Sequence, residues 1–379
     1  VNGGTPKTGV AEYWDGPHQW ITPAEMGKRA TPYISLSERT ITDAGMRNSS
    51  ASLLPEQSVI LSSRAPIGHL VINTVPMATN QGCKGLVPRN GLDTKYLYYY
   101  LASVVPLLND LGTGATFKEL SGGKLKGVPV PVAPLPEQRR IVALLDEAFN
   151  GIATARANAE KNLQNARALF ESHLQSVFTE RGEGWELKTL AEIATTFGRG
   201  KSRHRPRNAP HLYGGQYPFV QTGDIRNADH VITAYSQTYS EAGLAQSKLW
   251  PKGTVCITIA ANIAETAILG FDACFPDSVI GVVANPMQAD VHFIEYLLQS
   301  FKSRIQAMGK GSAQANINLG TFENERFPFP SVAAQRQFVA KLDRLREETQ
   351  RLESLYQRKL AALDELKQSL LHQAFSGQL

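Results

Sequence analysis

The side chains in this sequence best suited to chemistry are cations and amides set in glycine-led loops. Phe197-Gly198-Arg199-Gly200-Lys201-Ser202-Arg203-His204-Arg205-Pro206-Arg207 brings Arg199, Lys201, Arg203, Arg205 and Arg207 into one segment. Such a loop can neutralise phosphates and offers guanidinium forks that match the paired acceptors of guanine. A second glycine-led loop, Gly3-Gly4-Thr5-Pro6-Lys7, is followed by Tyr13, Trp14 and Trp20. Shorter polar runs recur at Ser62-Ser63-Arg64, at Thr79-Asn80-Gln81, and at Gln221-Thr222-Gly223-Asp224-Ile225-Arg226. Amides suit adenine and arginine suits guanine, although the same residue types also build turns. A doubled Gly-x-Gly-[Ala/Ser] completes the set, at Gly112-Thr113-Gly114 with Thr116 and Lys118, and at Gly309-Lys310-Gly311-Ser312 with Asn316. It reads as a backbone N–H pocket for phosphate, with a plain tight turn as the alternative.

Bond-making machinery is not expected. Base methylation needs an Asn/Asp-Pro-Pro-aromatic run, and Asn285-Pro286-Met287 lacks the second proline and the aromatic. Gly200-Lys201-Ser202 lacks the upstream glycine of a nucleotide-binding loop, because position 195 is threonine. The histidines show no ligand spacing, and Cys83, Cys256 and Cys274 lie far apart. That pattern argues against zinc or a disulfide framework and fits a reducing cytoplasm. Hydrophobic and charged contents of 42% and 19% describe a folded chain, with no apolar run long enough to span a membrane. The net charge of +5 is mild, so the placement of charge says more than its sum.

The elements that must position these loops come in two copies. Pro131–Phe149 returns 197 residues later as Pro328–Arg346, with Gln138 on Gln335, Arg139 on Arg336, Leu145 on Leu342 and Asp146 on Asp343. Leu53–Ser63 resembles Leu249–Ile259 at an offset of 196, so loop insertions separate two copies of one unit. In each copy short β-like runs (Ser58–Leu61, His69–Ile72; Thr254–Ile259, Val279–Val283) precede a proline-rich stop and a long helix. Pro136 suits the first turn of one helix and Ser331 the N-cap of the other.

Both helices carry a seam of threes and fours. In the second it reads Phe338, Leu342, Leu345, Thr349, Leu352, Tyr356, Leu360, Leu363, Leu366, Leu370 and Ala374. The first offers Ile141, Ala148, Ile152, Ala155, Ala159, Ala166 and Leu169. Small against large predicts that the two pair antiparallel as a coiled coil. Each would be a rod of roughly 60 Å at ~1.5 Å per residue. The fold class expected is α+β: two mixed, β-rich domains joined by these helices, with an internal pseudo-twofold repeat. The expected boundaries are 1–133, 134–180, 181–331 and 332–379.

Taken together, the blocks resemble the specificity subunit of type I restriction–modification enzymes. The resemblance rests on Gly3-Gly4-Thr5-Pro6 with Tyr13-Trp14 and Trp20, on Ala65-Pro66-Ile67-Gly68 with Ala78–Gly82, and on Gly112-Thr113-Gly114. It rests equally on Pro134-Leu135-Pro136-Glu137-Gln138-Arg139 and on Gln335-Arg336 with Ala374-Phe375. Gly184–Ala194 opens the second copy, and nothing like it precedes Val1, so the first copy is expected to lack its opening strand. The second copy departs too, with Gly198-Arg199-Gly200-Lys201-Ser202 in place of the Gly-Gly-Thr-Pro start.

The resemblance implies a non-catalytic reader of double-stranded DNA with two target-recognition domains, each taking half of a split site. It implies two methyltransferase subunits and two motor-nuclease subunits as partners. S-adenosylmethionine, ATP and Mg would belong to those partners, with no cofactor in this chain. Alternatives are the specificity subunit of a related, non-type-I methyltransferase complex, or a coiled-coil scaffold that does not bind DNA.

Overall fold

The structure, a computed structural model, describes residues 1–379 apart from 30, 65, 115–117, 181, 261, 310–316 and 318. It divides into two compact units, Val1–Glu160 with Gln357–Leu379, and Lys161–Tyr356.

In the first unit the strand Trp14–Ile21 runs antiparallel to Arg39–Ile41 and parallel to Met77–Thr79. A second sheet places Val59–Ser63 between Ile67–Asn73 and Cys83–Leu86, with Tyr33–Ile34 at its edge. Strand periodicity sorts the core. Val59 and Leu61 face the helix Thr94–Ser103, packing with Leu97 and Leu101, while Ile60 faces Ile21, Ile34 and Met77. In the second unit Tyr213–Phe219 repeats the pairing of Trp14–Ile21, antiparallel to Gln237–Tyr239 and parallel to Ala273–Cys274. Val255–Thr258 again sits mid-sheet, between Thr266–Leu269 and Val279–Ala284. Val255 and Ile257 face one cluster and Cys256 the other. The second unit also has a short sheet of Glu186–Lys188 with Phe327–Phe329, built from the run that opens this copy.

A repeated polar lock fastens each β-rich part to its long helix. Asp93 caps the helix Thr94–Ser103, and its own N–H is taken by Gln138 Oε1 at 2.8 Å. The Gln138 amide in turn donates to the carbonyls of Gly91 and Ala133, and Tyr99 donates to Asp146. In the second unit Asp290 caps Val291–Ser300, its N–H is taken by Gln335 Oε1 at 2.8 Å, and Tyr296 donates to Asp343 at 2.6 Å. Gln138 and Gln335 are fully buried, where an unpaired amide would be costly, and each uses both N–H donors and its carbonyl oxygen to close the joint.

The long helices, Leu135–Thr179 and Val332–Phe375, pair within each unit. In the first unit Ile141 and Leu145 pack with Leu371 and Ala374, and Arg156 pairs with Asp364. In the second, Leu174 and Phe178 pack with Leu342, and Arg167 meets Glu353 at 2.9 Å. Early residues of one helix therefore meet late residues of the other in both units, which is the antiparallel arrangement. Ala159 and Ala166 are buried as the seam requires.

Two seam assignments need correction. Leu169 and Leu366 are about half exposed (51% and 47%), and they are equivalent positions of the two copies. Beside Leu169 the ring of Phe170 faces inward instead. Phe170 packs on the second unit's core, and Lys367 lays its ammonium 5.4 Å from the Phe149 ring centroid. The bulkier ring fills the inward place beside Leu169, whereas Lys367 is itself exposed and reaches Phe149 with its long stem.

Among the described residues no helix is long and apolar enough to cross a membrane, and no cluster of His, Cys, Asp or Glu could hold a metal ion. The three cysteines are buried and unpaired, and burial pushes the Cys83 thiol up to about 12.

Candidate nucleic-acid interface

In the first unit four of the polar loops converge. Gly3 and Gly4 donate to the carbonyls of Cys83 and Thr79, which lays the Lys7 loop beside Asn80 and Gln81. Only glycine fits at position 3, because a Cβ there would lie 1.9 Å from the Asn80 carbonyl oxygen. Ser63 donates to Gly82, and Leu120 donates back to Ser63, so Arg64 and the Thr113–Glu119 bridge join the same end.

The side chains divide into those left free and those used up. Lys7, Gln81, Thr113 and Lys118 are exposed, and Gln81 accepts from Thr5. Arg64 lies 3.8 Å from Glu119, a loose exposed pair. Asn80 spends its side-chain oxygen on Gly82 N–H at 2.6 Å, so it shapes the turn.

Two candidates are not surface groups. Trp20 is buried, with its indole N–H on the Gly4 carbonyl at 2.9 Å and its ring edge-on to Trp14. It props the glycine loop from beneath. Ser62 is buried as well, donating to Pro66 O and accepting from His69 N, both at 2.7 Å. Thr116, Lys310, Ser312 and Asn316 lie outside the described residues.

In the second unit the basic segment is not one free loop. Arg199 ends the strand Ala194–Arg199, with its Nε on the Asp277 carbonyl at 2.7 Å. Arg207 holds the Asp277 carboxylate through two contacts of 2.8 and 2.9 Å. Arg205 bonds the carbonyls of Ser202 and His204. Lys201 and Arg203 remain exposed, and the backbone around them is held: Gln246 Oε1 accepts from Arg203 N and His204 N. Gly200 is the counterpart of Gly3, and a Cβ there would meet the Phe275 carbonyl oxygen at 2.2 Å.

Gln221 and Thr222 open the short helix Thr222–Asn227, where Gln221 N–H donates to Asp224 at 2.8 Å. Arg226 is exposed beside Phe170 and Leu174 of the long helix, so it belongs to the joint. The alternation of polar types did not distinguish this helix cap from a recognition loop.

Two cations went unnoticed in the sequence. Arg39 lies 3.5 Å over the Trp14 ring, and Lys248 Nζ lies 3.7 Å over Trp250. Lys248 and Trp250 are two apart in extended chain and so share a face, a spacing that could have flagged them.

Comparison with known proteins places these loops in context. The family model described as "Type I restriction modification DNA specificity domain" matches residues 1–163 and again 182–360. The MjaIX specificity subunit of Methanocaldococcus jannaschii is 25% identical over all of this chain and 90% of that protein. The EcoR124I/EcoR124II specificity subunit of Escherichia coli is 32% identical over 38% of this chain and 37% of its own. Among solved structures, one from work on complex assembly and conformational transition of a type I R-M system superposes with a TM-score of 0.80. It shares 18% identity and covers 97% of this chain and 92% of its own. The HsdS subunit from Thermoanaerobacter tengcongensis gives 0.65 at 17% identity, over 97% and 91%. At such identities the structural matches speak for the fold alone.

Proposed function

The chain belongs to the type I restriction–modification DNA specificity family, and from that premise we propose that it reads an asymmetric, bipartite site on double-stranded DNA. Residues 1–133 and 181–331 serve as the two recognition domains, each taking one half-site. The helices, 134–180 and 332–379, set the gap and dock two methyltransferase subunits, to which two motor-nuclease subunits add in the full complex. The chain itself catalyses nothing and works in the cytoplasm, and S-adenosylmethionine, ATP and Mg act in the partner subunits.

The observation that carries this reading is unequal divergence between the copies. The Asp93–Gln138 and Asp290–Gln335 locks are alike to the hydrogen bond, whereas the glycine-led loops Gly3–Lys7 and Gly198–Arg207 share little beyond a glycine. A scaffold kept the same with its exposed loops changed is what reading two different half-sites requires. In the first half Lys7, Arg64, Gln81, Thr113 and Lys118 are the groups placed to meet DNA. In the second, Lys201 and Arg203 are.

Mapping methylated bases in cells that express the chain with its methyltransferase tests the proposal. We expect two unlike half-sites separated by an unread gap. A continuous or palindromic motif would overturn it.

A further inference from the structure

The second unit carries positive charge that its own acids leave unanswered, gathered at one place. Arg207 is paired with the Asp277 carboxylate, and Arg199 is held by the Asp277 backbone carbonyl. Among the described residues no carboxylate lies within ion-pair distance of Lys201, Arg203 or Lys248. Lys201 and Lys248 come from separate segments, which are tied together by the residue next to Lys248: Ser247 Oγ donates to the Lys201 carbonyl at 2.8 Å. Lys248 is held half-buried over Trp250, which is itself fully buried and stacked on Phe275 at 4.9 Å. Burial, and then the charge of Lys201, both push the Lys248 ammonium below the ordinary lysine range.

Covering an indole does not need a cation, since a neutral side chain of similar length would do so without repelling Lys201. An ammonium held over an indole and partly desolvated, with a second lysine on the adjoining segment, is unfavourable until an anion joins them. In the other copy the position matching Lys248 is Ser52, and the one matching Trp250 is Leu54, so the arrangement is not part of the shared scaffold.

We propose that Lys201 and Lys248 form a clamp on the DNA phosphate backbone, seating the second half-site so that Arg203 can reach base edges. The inference rests on the DNA-reading function proposed above. A phosphate clamp carries no sequence information, so its loss should weaken specific and random duplexes alike.

The test uses the full chain with a random-sequence duplex, comparing wild type with K201A, K248A, K201A/K248A and K248R over a range of salt. Each alanine should lower the slope of log K against log salt by about 0.9, and the double variant by about twice that. K248R, which keeps the charge, should retain the wild-type slope. Lys201 is exposed, so K201A reports on the clamp even if K248A disturbs the packing on Trp250. Wild-type slopes in K201A and K248A would sink the clamp while leaving DNA reading intact. If the wild-type chain bound no duplex in a salt-dependent way, the clamp and the function proposed above would fall together.

Discussion

The two joints between β-rich part and long helix share a lock but differ in what surrounds it. In the first unit Lys95 bridges to Asp146 at 2.7 Å, and Tyr98 and Phe149 line a neighbouring cavity. In the second unit the positions of Lys95 and Tyr98 are taken by His292 and Glu295. Glu295 is fully buried, 2.6 Å from His230 Nδ1, and also accepts from Thr266 and Gln299. His230 Nε2 lies 3.0 Å from His292 Nδ1, and Arg346, in the place of Phe149, pairs with Asp229. One joint is a half-exposed ion pair beside open space. The other is a fully buried acid packed against an imidazole. The shared lock fixes the geometry, and the changed surroundings decide how much each joint loses when one partner is removed.

The largest effect should therefore fall on the second joint. His230→Ala leaves Glu295 buried without its imidazole and should cost about 3 kcal/mol, as removal of one member of a buried pair does. Lys95→Ala should cost about 1 kcal/mol or less, because that pair is partly solvated. Urea unfolding of the full chain, followed separately for each unit's transition, measures both. Equal losses would mean the two joints are energetically the same.

Next come the locks. Gln138→Ala and Gln335→Ala each strand one buried N–H and two carbonyls, and each should cost about 2–3 kcal/mol. The expected result is equality between copies, and a difference beyond about 1 kcal/mol would break the claim that the lock is the invariant part.

The smallest effects concern the seam. Phe170→Ala should cost about 2 kcal/mol and Leu169→Ala under about 0.5 kcal/mol. Ala159→Glu, at a buried position, should likewise lower the melting temperature more than Lys161→Glu on the exposed face. A reversed order of Phe170 and Leu169 would return the seam to the register read from leucines alone, and a reversed order of Ala159 and Lys161 would overturn the seam in either register.

Much of the scaffold was legible because it obeys periodicity. The duplication, the central strands Val59–Ser63 and Val255–Thr258, both long helices and the Ser331 cap follow from spacing and residue type. The seam slipped at Leu169 because a leucine beside a phenylalanine satisfies a heptad count equally well in sequence. The interface was harder to read. A loop's side chains are assigned by what they meet in space, and Asp277, which ties up Arg199 and Arg207, lies some seventy residues away. Trp20 and Ser62 look like recognition residues until burial shows them propping a turn. Lys248 shows in sequence only as a lysine two residues from a tryptophan, and its contact with Trp250 and the tie between its segment and Lys201 appear only in space.

The division of the chain also has a consequence for how the molecule is made. The second unit is drawn from one unbroken stretch, Lys161–Tyr356, whereas the first needs Gln357–Leu379 to return to Val1–Glu160. Phe375 seats its ring 5.1 Å from Tyr96 and 5.3 Å from Tyr100, closing the first unit's core over an excursion that contains the whole of the second. Bringing so distant a segment home is slow, because chain entropy must be lost before the contacts form. On the ribosome, then, the half that begins first is finished last: until Phe375 arrives, Tyr96 and Tyr100 lack their cover, and the later half matures ahead of the earlier one.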